Sequence, residues 1–347
     1  MVQTLVRSFS VRVFRTPLKR AFVTALGRKT ETCNVGFSLT LRDGTVGYGE
    51  ASASLALAHL KPQRLAKVLG DMGRWAMGQD AAAHRPLIEE AWKKHSDASP
   101  AVSAFECALL DAWTRSQGLC LASWFGGKLS EIESDVTISA WDDPAMTSQA
   151  AGEAAQDGFR LFKIKVGTTY TEDLSRIKTV HAAARGRAYI LDGNQGLTVS
   201  SSLRLIEACL KSGIQVELLE QPLPKTDFKG MAALTRRSPI PVAADEMVFS
   251  PQDAVRVARE GAASVINIKV AKSGLLRALE IAAVARASGL RLMIGCMAET
   301  SQGLMPSVHL AMGAGSFDFV DLDSDYLLRD QGLSKDWRRR GPILSRR

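Results

Sequence analysis

The sequence predicts an α/β protein, a parallel β/α barrel of the TIM type preceded by a smaller α+β domain. Three observations carry this. Eight short β-rich runs alternate with helical stretches from residue 136 to residue 321, the order of a parallel sheet with crossover helices. Charged residues close several of these runs at near-regular intervals: Lys165, Asp192, Glu220, Asp245 and Lys269 follow one another in steps of 27, 28, 25 and 24 residues. Each step holds one strand, one helix and two short loops. The residues ahead of 127 follow another pattern, strands first and helices after.

In that first part, residues 9–14 alternate, with Phe9, Val11 and Val13 against Ser10 and Arg12. Residues 35–42 alternate more cleanly: Val35, Phe37, Leu39 and Leu41 face one way, Gly36, Ser38, Thr40 and Arg42 the other. Asp43-Gly44 reads as a hairpin turn into a third strand through Val46 and Tyr48. Helices are expected at 61–77, 85–95 and 100–117, the last opening on Ser99-Pro100 as N-cap and first-turn residue. Trp124-Phe125-Gly126-Gly127 marks the join, which makes 1–127 the capping domain and 128–325 the barrel. The eight barrel runs are Val136–Ser139, Leu161–Val166, Ala188–Asp192, Val216–Glu220, Val242–Asp245, Ser264–Lys269, Leu292–Gly295 and Phe317–Asp321. The short basic segment 326–347 is expected to pack back on the capping domain.

The chain's 347 residues leave room for a barrel of about 200–250 residues and a second domain. Hydrophobic and charged contents of 46% and 23% are those of an ordinary soluble protein. The net charge of +8 comes from scattered residues, and only Arg338-Arg339-Arg340 with Arg346-Arg347 forms a dense run. It reads as a solvated basic surface, not a nucleic-acid face. Five cysteines, an odd number without a C-x-x-C pair, point to reduced thiols in a cytoplasmic protein. No apolar leader core follows Met1-Val2-Gln3, and no stretch approaches the roughly 18 apolar residues of a membrane span. The sequence leaves a homo-oligomer open.

In a β/α barrel, residues at strand C-termini share one mouth. Asp192, Glu220 and Asp245 end three successive strands, and three like charges so close need a cation between them. Oxygen ligands alone suit Mg²⁺, with Mn²⁺ as the alternative. The five histidines form no H-x-x-H-type pair, which argues against zinc. Lys163 and Lys165 are two residues apart and share a strand face. Their proximity to each other and to a metal is expected to lower their pKa values from about 10.4 toward those of useful bases. Lys269 ends the sixth strand, four places round from Lys165 on the second, so the two should face each other across the mouth. A base on each face of one carbon can remove a proton from one side and return one from the other, with the metal holding the adjacent carboxylate as its enediolate.

On these residues the chain resembles the enolase superfamily, in its muconate lactonising enzyme subgroup. A lysine or histidine base working with Mg²⁺ is a general trait of that superfamily. The resemblance implies a modified (β/α)7β barrel, with Lys165 and Lys269 as the acid/base pair, Lys163 assisting, and Asp192, Glu220 and Asp245 on Mg²⁺. Asn194 and Glu246 match positions just behind the ligands. Asp321-Leu322-Asp323 at the eighth strand is similar to a feature of dipeptide epimerases, where an acidic pair receives the substrate's α-ammonium group. Two carboxylates on one face suit such a cation. The implied activity is inversion of the α-carbon of the C-terminal residue of a small dipeptide. Thr137 on the first strand and Cys296, Met297 and Glu299 after the seventh complete the candidate substrate contacts.

Side-chain preference stays open at this point. In L-Ala-D/L-Glu epimerases an arginine is expected directly after a Thr-Ala-Leu stretch, whereas here Thr24-Ala25-Leu26 is followed by Gly27, then Arg28 and Lys29. Either Arg28 turns in to meet an acidic side chain, or Gly27 leaves room for a hydrophobic or basic one. Other activities on this fold are an o-succinylbenzoate synthase or muconate cycloisomerase-like lyase and an N-acylamino acid racemase. A non-catalytic scaffold would retain buried lysines at a cost in stability and without use.

Overall fold

The alternation near the N-terminus belongs to a long twisted hairpin. In the computed structural model, which describes residues 3–329, 334 and 336–347, β1 (Val6–Thr24) pairs antiparallel with β2 (Gly27–Leu41), and β3 (Val46–Ser52) adds to β2. Val35, Phe37, Leu39 and Leu41 are fully buried on the inner face. The first strand runs ten residues past the alternating stretch that announces it, to Thr24. Its far half lies over the barrel, with mixed burial on both faces, so no period of two is written there.

The helices α1 (Pro62–Ala76) and α3 (Ser99–Ser116) pack on this sheet, and α2 (His84–His95) packs against α3 and α1. Ser99 is not the N-cap expected of it. A 3₁₀ turn at Ser96–Ala98 runs straight into α3, so Ser99 is already helical and Ala98 takes the cap position with no side-chain hydrogen bond.

After α4 (Leu121–Trp124) and β4 (Glu131–Glu133), the chain alternates as expected. The units are β5 (Val136–Ile138) and α5 (Pro144–Gln156), β6 (Leu161–Lys165) and α6 (Tyr170–Ala183), then β7 (Ala188–Asp192) and α7 (Val199–Lys211). They continue with β8 (Val216–Glu220) and α8 (Phe228–Arg237), β9 (Val242–Ala244) and α9 (Pro251–Glu260), and β10 (Val265–Lys269) and α10 (Val270–Ala287). Last come β11 (Arg291–Gly295), α11 (Met305–Ala314), β12 (Phe319–Asp321) and the short α12 (Ser324–Leu327). Strands β5 to β12 form one sheet in chain order, every ladder parallel. Seven helices between eight strands make the (β/α)7β barrel. Its seam, between β12 and β5, is closed by the Asp135 N–H donating to the Val320 carbonyl at 2.8 Å and the Leu322 N–H to Ser134 Oγ at 2.9 Å. Ile190, Leu218, Ala243, Val265, Met293 and Phe319 fill the lumen, so the mouth is the top of a packed core and not a pore.

The C-terminal ribbon β13 (Trp337–Arg340) and β14 (Ile343–Arg346) pairs with β4, ahead of the barrel. It also reaches the first domain, where Arg115 of α3 meets Asp336 at 2.5 Å. The Arg329 N–H donates to the Pro17 carbonyl at 2.9 Å. Part of the predicted tail, 330–333 and 335, lies outside the described residues.

The two domains are locked at the start of α10. Gly274 breaks that helix with φ of 74°, and the buried Glu106 of α3 accepts the Leu276 N–H at 2.6 Å and Trp92 Nε1–H at 3.0 Å. This satisfies a buried backbone donor that the break leaves unpaired in the helix directly following Lys269. A Cβ on Gly274 would stand 2.0 Å from Glu106 Oε2. Gly274→Ala is therefore expected to cost about 2–4 kcal/mol in urea unfolding, with Mg²⁺-free protein used so that only the fold is read.

Candidate active site

Register builds the site. In the parallel ladders Lys165 stands opposite Asp192, Asp192 opposite Glu220, Lys269 opposite Gly295, and Gly295 opposite Asp321. Strand ends in register bring their last inward side chains to one level, so groups up to 158 residues apart in sequence touch. Asp245 lies one residue past β9 at the same level. All are buried.

Lysines and carboxylates interlock there. Lys163 Nζ lies 2.7 Å from Asp321 Oδ2, 2.7 Å from Glu220 Oε2 and 3.3 Å from Asp192 Oδ2. Lys165 donates to Asp192 Oδ2 at 2.6 Å and Lys269 to Asp245 Oδ2 at 2.7 Å. Lys272, one helical turn beyond Lys269, donates to Asp245 Oδ1 and to its carbonyl, both at 2.6 Å. The lowering expected of Lys163 from its strand neighbour does not hold, and Lys269 too is raised. Burial alone would push both down, but for Lys163 the charges of Asp321, Glu220 and Asp192 outweigh it, and for Lys269 that of Asp245 does, so both lie above the ordinary lysine range. Lys272 is lowered, because burial prevails over its pairing with Asp245.

Asp192, Glu220 and Asp245 present carboxylates from three neighbouring strand ends, with no nitrogen or sulfur ligand beside them. Glu220 Oε2 has no hydrogen-bond donor in line, the Lys163 ammonium being close but off axis. Burial resists ionisation in all three. In Asp192 the charges of Lys165 and Lys163, and in Asp245 those of Lys269 and Lys272, reverse that and hold the carboxyls below the usual range. Glu220, next to Asp192, is instead pushed up to about 7. This donor set fits a hard divalent cation, which would take up the negative charge that the lysines now share.

Behind the three acids stand residues of which only Asn194 and Glu246 were expected. The Asn194 N–H donates to Asp192 Oδ1 at 3.0 Å, and its Nδ2 lies 3.4 Å from Glu246 Oε1. Burial and the charge of Asp245 push Glu246 up to about 8. Asn267 Nδ2 donates to Glu220 Oε1 at 2.7 Å, and Gln221 Oε1 accepts the Asp245 N–H at 2.9 Å. Sequence reasoning passed over Asn267, Gln221 and Lys272. Asn267 had a readable signal, since it precedes Lys269 by two and so shares its inward face.

Above this floor opens a cavity. Leu18, Phe22 and Leu26 of the hairpin, with Leu55, Phe249 and Met297, give it an apolar roof, while Lys163, Lys165 and Lys269 line its base. Phe22 lies over Lys165, whose Nζ is 5.4 Å from the ring centroid. Thr137, Cys296, Asp321 and Asp323 also line it, and the Thr137 N–H donates to Asp323 Oδ2 at 2.6 Å. Burial and the Asp321 charge push Asp323 up to about 6.

Two expected contacts are placed elsewhere. Arg28 is exposed and pairs with Val23 on the outer face of the hairpin, while Lys29 pairs with Phe22 and faces the cavity. Strand alternation decides this. Lys29 is itself engaged with the Ala53 carbonyl. Glu299 is buried behind the wall and accepts the Met297 N–H at 2.9 Å, bracing the 296–298 loop instead of lining the cavity.

A capped (β/α)7β barrel with lysines and carboxylates at its C-terminal mouth defines the enolase-like class of barrel enzymes. Residues 145–340 match the family model of the enolase C-terminal domain-like fold, and residues 6–126 that of the mandelate racemase/muconate lactonizing enzyme N-terminal domain. The chain belongs to this family, within the enolase superfamily. It is 36% identical to an aromatic dipeptide epimerase of Herpetosiphon aurantiacus over 98% of this chain and 96% of the relative. It is 34% identical to an L-Ala-D/L-Glu epimerase of Thermotoga maritima, covering 91% of each. Among solved structures, a dipeptide epimerase of Enterococcus faecalis in complex with Mg and L-Leu-L-Tyr superposes with a TM-score of 0.92 at 29% identity, over 99% of this chain and 97% of that one. No helix among the described residues is long and apolar enough to cross a membrane.

Asn267→Ala removes a buried donor from Glu220. Calorimetric titration with Mg²⁺ should show affinity falling by about 10-fold or more, while unchanged affinity would mean that Asn267 does not orient a ligand.

Proposed function

We propose that this chain is a Mg²⁺-dependent epimerase of dipeptides that inverts the α-carbon of the C-terminal residue. The observation that carries this is a single cavity with Lys165 and Lys269 on strands four apart at its base and the Asp321/Asp323 pair in its wall. Lys165 and Lys269 approach one carbon from opposite faces, so one takes the α-proton and the other supplies its replacement. Lys163, held among Asp192, Glu220 and Asp321, adds fixed positive charge where the substrate carboxylate must lie. Asp192, Glu220 and Asp245 would hold Mg²⁺, which when bound offsets the charge that builds on that carboxylate as the proton leaves. Asp321 and Asp323 receive the α-ammonium and set the distance from it to the reacting carbon.

The acidic pair favours this reading over its neighbours. An N-acylated amino acid or a cycloisomerase's dianion would bring no cation to this wall, leaving buried Asp323 with only the Thr137 N–H and Asp321 with only Lys163, at a cost in affinity. The five free cysteines suit a reducing cytoplasm.

Cavity chemistry also favours an apolar side chain on the substrate. Arg28 points away, and the one cation at this end of the cavity, Lys29, gives an N–H to the Ala53 carbonyl, while Leu18, Phe22, Leu26 and Leu55 make most of the surface around it apolar.

In D₂O with Mg²⁺, mass spectrometry of a mixed dipeptide set should find deuterium at the C-terminal α-carbon. kcat/KM for L-Ala-L-Phe should exceed that for L-Ala-L-Glu by about 10-fold or more. A preference for L-Ala-L-Glu would overturn the side-chain reading, and no uptake in any dipeptide would overturn the epimerase. Removing one base should separate the two half-reactions. K269A is expected to lose net inversion yet still exchange the α-proton of one substrate isomer, and K165A that of the other. Equal exchange from both isomers in either variant would rule out the two-base assignment.

A further inference from the structure

Behind the Asp321/Asp323 wall lies a third carboxyl that the proposed reaction does not use. Asp135, just before β5, is 1% exposed and is not part of the cavity lining. The barrel seam aims it. Its N–H bonds the Val320 carbonyl and the Ser134 hydroxyl accepts the Leu322 N–H, so residues 134 and 135 are stitched to the two residues flanking Asp321. Side-chain oxygens of Asp135, Asp321 and Asp323 consequently lie within 4.8 Å of one another. Two of the three have donors, Lys163 for Asp321 and the Thr137 N–H for Asp323. Among the described residues, none donates an N–H or O–H to either oxygen of Asp135.

A buried carboxylate with no donor, beside two more carboxylates, is relieved by a proton or by a cation. Among the described residues no cationic side chain hydrogen-bonds the Asp135 oxygens; Lys163 acts on them only through its charge, its contacts going to Asp321, Glu220 and Asp192, whereas Asp321 offers an acceptor. We propose that Asp135 is a positioning residue that stays protonated and donates its carboxyl O–H to the Asp321/Asp323 pair, fixing that pair to receive the substrate's α-ammonium. The proton remains on Asp135 throughout turnover. The groups facing it are Asp321, Asp323 and Lys163. Burial first, then the charges of the two aspartates, raise the Asp135 pKa well above the carboxylate range, and Lys163 opposes this without reversing it. The inference rests on the ammonium-binding reading of Asp321/Asp323.

The test compares D135N, which keeps a donor and cannot ionise, with D135L, which keeps the bulk and loses the donor. D135N should hold KM and kcat for L-Ala-L-Phe near the parent values. D135L should raise KM about 10-fold with kcat much less changed. Independently of turnover, infrared difference spectra of the parent against D135N at neutral pH should show the carbonyl stretch of one protonated carboxyl. D321N run in parallel marks the loss of the ammonium contact itself. A KM increase in D135N as large as in D321N, or no carboxyl band, would overturn the proposal, because Asp135 would then be a third negative charge. A second Mg²⁺ per chain, lost in D135N, would overturn it in favour of a cation site. If D321N leaves KM unchanged while the band is present, the proton stands and the dipeptide reading of the pair fails.

Discussion

The ammonium of Lys163 holds the catalytic mouth together. It lies 1% exposed among three carboxylates from three other strands: Asp192 on β7, Glu220 on β8 and Asp321 on β12. Buried charges of one sign repel strongly at low dielectric, and a single lysine that touches three of them cancels repulsion at several points at once. It also joins two halves of the site. In the proposed reaction Asp192 and Glu220 belong to the cation-binding side and Asp321 to the ammonium-binding wall, which would place a substrate's negative and positive ends relative to the same nitrogen. Removing Lys163 would therefore disturb both ends of the substrate, although it need not exchange a proton itself.

The first domain does more than cover this mouth. Glu50, buried on β3, accepts Asn34 Nδ2–H at 2.7 Å, the Thr300 N–H at 3.0 Å and the Thr300 hydroxyl at 2.5 Å. Asn34 Nδ2 also donates to the Ala298 carbonyl at 2.7 Å. The 296–300 loop, which supplies Cys296 and Met297 to the cavity, thus hangs from the capping sheet. Glu106 reaches α10 directly after Lys269 in the same manner. Both connections cross between domains, so the position of a catalytic lysine and of a cavity wall depends on residues far outside the barrel. Hydrogen bonds that sit buried and satisfied are the ones able to hold such geometry.

Much of this was legible in the sequence, because charges at regular spacing are a one-dimensional trace of strands in register. Ala188–Asp192 and Val216–Glu220 could be bounded to the residue, each a short apolar run ended by an acid. Less legible were groups whose role depends on a neighbour distant in the chain. Asp135 follows a serine in an ordinary polar stretch, and only the seam to Val320 and Leu322 gives it meaning. Lys272 looks like any helix lysine until Asp245 is placed beside it. The lysine pKa expectation failed for a similar reason, since adjacent cations were visible along one strand and the carboxylates that outweigh them lie on others.

The apolar preference proposed for this site turns on something smaller still, the parity of one hairpin. Ala25 and Leu26 form the turn, with Thr24 paired to Gly27, Val23 to Arg28 and Phe22 to Lys29. Cross-strand partners share a face, and successive residues alternate. An arginine one place after the turn pair and an arginine two places after it therefore point in opposite directions. Gly27 takes the cavity-facing position nearest the tip and contributes no side chain, leaving Leu26, Leu55 and Phe22, with Thr24 and Lys29, as the surface at that end of the cavity. The same floor of lysines and carboxylates can thus serve acidic or apolar dipeptides. On this reading the chemistry rests on barrel registers that a one-residue change would destroy, whereas the preference rests on a loop tip that can exchange residues without touching them.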